Sequence, residues 1–149
     1  MKGGQQEQDE ARGSFPFPRS ARLLQHAAFD RVYREGRRIF ARNLTAFVRC
    51  RGEDETLAGP RVGFTVSRAL GGAVERNRMK RRLRAAVRRY LALLDGPVDV
   101  VINPKKTLLS AEFASLLLEI EQAFNRIRQN DSRTAGRVPP VVARGRVPR

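Results

Sequence analysis

The sequence predicts a single α/β or α+β sandwich, a mixed sheet of about four strands with three helices. Three observations carry that expectation. Apolar residues recur at helical spacing in three segments, they alternate with polar ones in short runs, and Gly or Gly-Pro breaks separate the runs. The resulting order of helix, two or three strands, helix, strand and helix is that of a layered fold.

Each element has its own signal. Phe29, Val32 and Tyr33 stand at i, i+3 and i+4 on a short helix beginning near His26, with Gly36 expected as its left-handed stop. A short strand is expected at Arg38 to Phe40. Leu44, Ala46, Val48 and Cys50 then alternate with Thr45, Phe47, Arg49 and Arg51, the period of a half-buried strand. The acidic stretch 52–60 reads as a hairpin loop leading to a strand from Arg61 to Ser67. Gly71-Gly72 precedes a long helix, about Val74 to Leu94, which Gly96-Pro97 ends. Val98 to Ile102 is a compact apolar strand. Ser110 is the expected N-cap of the last helix, on which Phe113, Leu116, Leu117, Ile120, Phe124 and Ile127 recur at helical spacing. Residues 1–19 and 129–149 lack a hydrophobic period and read as disordered tails around a domain at 20–128.

Composition narrows the function. A chain of 149 residues can bury an ordinary apolar core without a disulfide or a metal. The single cysteine, Cys50, and the single histidine, His26, exclude an intramolecular disulfide and a zinc site of three or four His and Cys ligands. Apolar runs such as Val100 to Ile102 fall far short of the ~20 residues that span a bilayer. With no secretory h-region in the first fifteen residues, the expected address is the cytoplasm. A net charge of +15 points instead to a polyanionic partner, nucleic acid first.

That charge is concentrated. The string from Glu75 to Arg89 holds eight cations and one acid. On a helical wheel Met79, Leu83, Ala86, Val87, Tyr90 and Leu94 share an arc about 100° wide, a stripe for the sheet to bury. Asn77, Lys80, Arg81, Arg84 and Arg88 fall on one flank, and Arg78, Arg82 and Arg89 on the other. Arg76 lies nearly in line with the apolar stripe. Like charges recur at i and i+4, each pair costing roughly 0.2–0.5 kcal/mol, and first-turn cations oppose the helix dipole. A helix opposed by about 2 kcal/mol of its own charge implies a ligand that relieves it. The membrane alternative needs Trp or Phe on the apolar arc, and none lies there.

A second feature is Phe47, which alternation places on the polar face of its strand. Aromatics among cations on an open sheet suit single-stranded nucleic acid, whose bases stack on rings while cations follow phosphates. The spacing leaves a second possibility open, that the first helix covers this face and Phe29, Tyr33 and Phe47 simply pack together. No nucleophile motif accompanies His26, so no protein catalytic residue is expected. Asp95, Asp99 and the Glu53-Asp54-Glu55 cluster could hold a divalent cation, but acids in loops are usually just solvated, and no metal site is assigned to them.

Four features taken together resemble the protein subunit of bacterial ribonuclease P. They are the Arg22-Leu23 entry with Phe29, Val32, Tyr33 and Gly36; the strand RVGFTVSR; the ERNRMKRRLR block with its Arg76-Asn77-Arg78 triplet; and the Asp99-Val100-Val101 strand. They run in the family's order over about Arg22 to Arg128. The resemblance implies a two-layer sandwich of the kind in the second domain of ribosomal protein S5, with an unusual left-handed βαβ crossover.

The resemblance further implies a catalytic RNA as partner, which uses Mg2+ held mainly by the RNA to release the 5′ leader of precursor tRNA. Arg76, Asn77, Arg78, Lys80, Arg81, Arg84 and Arg88 would then bind the catalytic RNA. Phe29, Tyr33, Phe47 and Arg49 would line the leader-binding cleft. Neither a membrane nor a further protein is a required partner. The alternative from another class is a non-enzymatic structural RNA-binding protein resembling a ribosomal protein.

Overall fold

The computed structural model describes residues 17–52 and 59–135. The elements in chain order are α1 (His26–Glu35), β1 (Arg37–Phe40), β2 (Leu44–Cys50), β3 (Arg61–Phe64), α2 (Ala73–Tyr90), β4 (Val98–Pro104) and α3 (Phe113–Ala135). The four strands form one sheet in the order β1-β2-β4-β3. β1 and β4 pair antiparallel with β2, and β3 pairs parallel with β4. The fold is therefore the expected α+β sandwich with a mixed sheet.

β2 and β3 do not pair as the expected hairpin, because β4 lies between them; residues 53–58 are outside the described ones. Two adjacent parallel strands need a crossover, and α2 supplies it. Since α2 leaves the carboxyl end of β3 and returns the chain to the start of β4, its N-terminus lies at the end of the sheet where both strands finish.

One sheet face holds the main core. Leu44, Ala46, Val48, Val62, Val100 and Ile102 meet Met79, Leu83, Ala86 and Val87 of α2 and Leu116, Ile120, Phe124 and Ile127 of α3. The short α1 covers part of the opposite face, where Val32 packs with Leu23 and Val101 beside Phe29, Tyr33 and Phe47. Gly36 ends α1 in an extended conformation, φ −86°, and not in the left-handed one. Close approach makes glycine fit there: a Cβ would lie 2.5 Å from the Val48 carbonyl oxygen and 2.6 Å from that of Val32.

Other boundaries shift for physical reasons. Phe17 is buried and meets Phe64 edge to face, so part of the expected 1–19 tail packs into the domain; residues 1–16 lie outside the described ones. α3 runs on to Ala135, past the expected tail start at 129, because no Gly or Pro interrupts it before Gly136. The remainder of that tail, 136–149, is outside the described residues. Ser110 is not the N-cap of α3; it closes the preceding turn, its hydroxyl donating to the Thr107 carbonyl at 3.2 Å. At the end of β2, Cys50 is exposed while Arg49 and Arg51 are buried, the reverse of the polarity pattern, because Asp99 on the neighbouring strand draws both guanidinium groups inward.

Candidate nucleic-acid interface

Helix α2 forms readily, since Ala73 to Tyr90 contains no Gly or Pro and is dominated by Arg and Ala. Its one acid, Glu75, turns back to its own terminus, where Oε1 accepts the Gly72 N–H at 3.0 Å. Burial of Met79, Leu83, Ala86 and Val87 fixes the rotation of the helix about its axis. Asn77, Arg78 and Arg81 are consequently exposed, and Arg76, Lys80, Arg84 and Arg88 half-buried.

Among the described residues, no carboxylate lies within ion-pair distance of Arg76, Arg78, Lys80, Arg81 or Arg84. Arg76 donates Nε to the Gly71 carbonyl at 3.2 Å. Burial, reinforced by the charge of Arg22, lowers the pKa of Arg84 from its ordinary value. Arg22 was not expected at this site. It is held by two bonds to the Phe17 carbonyl, at 3.1 and 3.3 Å, and stacks on the Phe17 ring. Arg82 has a different task, donating to the Leu108 and Ala111 carbonyls at 2.6 Å and tying α2 to the turn before α3.

The aromatic trio comes together on the opposite face. Tyr33 and Phe47 meet edge to face, 4.9 Å between centroids, and the Arg38 guanidinium lies 5.4 Å from the Phe47 centroid. Helix α1 packs on this face, as one of the two readings expects, and Phe29, Tyr33 and Phe47 all stay half-exposed. The Tyr33 hydroxyl is 2.7 Å from Thr65 Oγ1 and 3.0 Å from Asn103 Oδ1, and those two residues anchor it over the sheet. Thr65 and Asn103 sit at the end of the sheet from which α2 departs.

Arg49 stands apart from the other cleft candidates. It is only 8% exposed, donates Nε to Glu35 Oε1 at 2.9 Å, and lies 3.8 Å from Asp99. Asp99 is itself buried, bonded to Arg51 and held in a two-point contact by Arg61 at 2.9 Å for both bonds. Asp99 therefore sits on the expected strand but inside a buried ion cluster, and is not the expected solvated carboxylate. With both oxygens engaged by guanidinium groups, Asp99 does not fit a divalent cation. Among the described residues, no group of three or more His, Cys, Asp or Glu is placed to hold one. The Glu53-Asp54-Glu55 cluster lies outside the described residues. His26 is an ordinary surface residue with 91% of its side chain exposed, 3.7 Å from Asp30. No helix among the described residues is long and apolar enough to cross a membrane.

The family profile described as Ribonuclease P matches residues 17–128. The ribonuclease P protein component of Acidothermus cellulolyticus is 35% identical over 112 residues, 75% of this chain and 92% of that protein. The corresponding component of Maridesulfovibrio salexigens is 37% identical over 100 residues, 67% of this chain and 79% of its own length. Among solved structures, the RNase P protein from Thermotoga maritima, in complex with 1-(4-fluorophenyl)-2-thiourea, is similar in fold at a TM-score of 0.62 and 24% identity, covering 70% of this chain and 98% of its own. The Staphylococcus aureus RNase P protein superposes at a TM-score of 0.57 and 22% identity, covering 74% and 94%.

Proposed function

This chain belongs to the ribonuclease P protein family, and from that premise we propose how its two surfaces share the work of an RNA-binding subunit in tRNA 5′ maturation. The exposed face of α2 docks on the catalytic RNA through Arg76, Asn77, Arg78, Lys80, Arg81, Arg84 and Arg88. The half-exposed face bearing Phe29, Tyr33 and Phe47 holds the single-stranded leader of precursor tRNA. Arg49 contributes by fixing the floor of that face through Glu35 and Asp99, not by meeting phosphate itself.

Catalysis and magnesium belong to the RNA in this reading, and the cytoplasm, where precursor tRNA is made in bacteria, is the place of action. The protein's part is electrostatic and positional. Two RNAs meeting at a cleavage site repel each other, and a cationic helix between them offsets the repulsion that magnesium would otherwise have to screen. The leader is absent from mature tRNA, so any contact to it favours substrate over product.

The observation that carries the proposal is the α2 face, where Arg76, Arg78, Lys80, Arg81 and Arg84 have no carboxylate partner among the described residues. The test mixes the purified protein with a bacterial ribonuclease P RNA and a precursor tRNA at low magnesium. The expected result is 5′ maturation that neither component gives alone; failure to stimulate the RNA would overturn the proposal. A purely structural RNA binder would bind without stimulating cleavage.

A further inference from the structure

Strand registers place the side chains of the α1-covered face in rows running across the sheet. Arg38 pairs with Phe47, Phe47 with Val101 and Val101 with Gly63, giving the row beneath Phe29 and Tyr33. The next row is Phe40, Thr45 and Asn103, with Phe40 opposite Thr45 and Thr45 opposite Asn103. Thr65 extends it, donating its N–H to the Ile102 carbonyl at 3.0 Å. At the edge of the sheet, Phe40 closes this second row and is 64% exposed.

An exposed ring on an edge strand is often incidental, but this one is rigidly mounted. The turn that follows it is pinned from two directions. Lys105 Nζ donates to the Ala41 carbonyl at 2.9 Å, and the Asn43 N–H donates to Glu119 Oε1 of α3 at 2.9 Å, with the Asn43 side chain bonded to the same carboxylate. At the other end of the row, Asn103 Oδ1 is occupied by the Tyr33 hydroxyl. That bond orients the amide and leaves Nδ2 without a hydrogen-bond partner among the described residues. Arg38 and Arg42 are exposed on either side of Phe40. A ring, an oriented amide donor about two strand spacings away (about 10 Å) and flanking cations are the parts of a nucleotide site.

We propose that the row Phe40, Thr45 and Asn103 is a further one-nucleotide subsite for single-stranded RNA, continuing the aromatic platform of Phe47. Phe40 stacks the base, Asn103 Nδ2 donates to an acceptor on its edge, and Arg38 and Arg42 meet the neighbouring phosphates. The inference rests on the leader-binding reading above and adds a residue pair and a base-edge contact to it. The strand-edge alternative, a second copy of this chain stacking Phe40 on Phe40, is less suited to the cations that flank the ring.

The test measures binding of the reconstituted RNA–protein complex to precursor tRNAs with leaders of graded length, and to mature tRNA. Phe40→Ala is expected to weaken binding roughly 5- to 150-fold, the range of one base–aromatic stack, and only for leaders long enough to reach the row. Phe40→Tyr restores binding, and Phe47→Ala weakens shorter leaders as well. A loss with Phe47→Ala but none with Phe40→Ala at any length overturns the subsite and leaves the leader reading standing. No leader-dependent loss with either variant overturns both. Equal loss on mature tRNA, or a change in sedimentation of the free protein with Phe40→Ala, assigns Phe40 to the catalytic RNA or to a protein copy and overturns the subsite. In a leader series varied at one nucleotide, Asn103→Leu is expected to abolish a base preference shown by the unmodified protein; absence of that preference overturns the edge contact.

Discussion

Gly63 lies directly beneath Phe29, so close that a methyl group on its Cα would stand 2.5 Å from Phe29 Cζ and 3.0 Å from Leu23 Cβ. Helix α1 reaches the sheet only because β3 carries no side chain at that point. The position of one aromatic on this face therefore depends on a glycine three elements further along the chain.

Gly63→Ala is expected to push Phe29 and α1 outward. The loss of stability should be about 1–3 kcal/mol, typical of overpacking, and it is read from urea or thermal unfolding. Binding of precursor tRNA should weaken in the same variant while the salt dependence of catalytic-RNA binding stays unchanged, because α2 lies on the other face.

Asp99→Asn is expected to cost more. Removing the carboxylate leaves the guanidinium groups of Arg51 and Arg61, and in part Arg49, facing one another in a buried site. Breaking such a cluster typically costs about 3–5 kcal/mol, measurable as a shift in the urea midpoint with little change in slope.

Arg78→Ala removes an exposed cation from α2 and should leave the free protein's melting temperature nearly unchanged. Assembly with the catalytic RNA should weaken, and the slope of log affinity against log salt should become shallower by about 0.7–0.9. If about six phosphates are engaged, the unmodified protein's slope lies at roughly −4 to −5.

Arg49→Ala should behave in the opposite way. Its charge is already matched by Glu35 and Asp99, so the salt slope for RNA binding should hold while thermal stability falls. A change in slope without loss of stability would return Arg49 to direct phosphate contact.

Arg84→Met is expected to stabilise the free protein and weaken it as an RNA binder. Burial and the nearby Arg22 both disfavour the Arg84 charge, which depresses its folded-state pKa. A cationic group with a depressed folded-state pKa destabilises the fold while charged, throughout the neutral range, and the penalty fades only as strongly alkaline pH approaches that pKa. A neutral side chain of similar length removes the penalty, which differential scanning calorimetry can read alongside a several-fold loss in RNA affinity at low salt.

Much of this architecture was legible because periodicity is local. The stripe Met79, Leu83, Ala86 and Val87 identified the buried face of α2 and so the exposed one, and alternation placed Phe47 on the right side of β2. Long-range relations were not legible. Nothing in stretch 52–60 signals that β4 will insert between β2 and β3, and that insertion brings Asp99 beside Arg49, Arg51 and Arg61. Arg49 consequently looked like an open cation. Alternation gives Phe40 and Asn103 each a face, but only the register across three strands places them in one row.

The division of the arginines has a kinetic consequence. Arg49, Arg51 and Arg61 are tied to Asp99 and Glu35, whereas Arg76, Arg78, Lys80, Arg81 and Arg84 along α2 have no carboxylate partner among the described residues, so the positive field of the described residues is concentrated toward α2. A lopsided field exerts torque at a distance and turns the protein during diffusion, shortening the rotational search before first touch. Capture of a folded polyanion should be fast in dilute buffer and slow sharply as ions are added, with far less effect on escape.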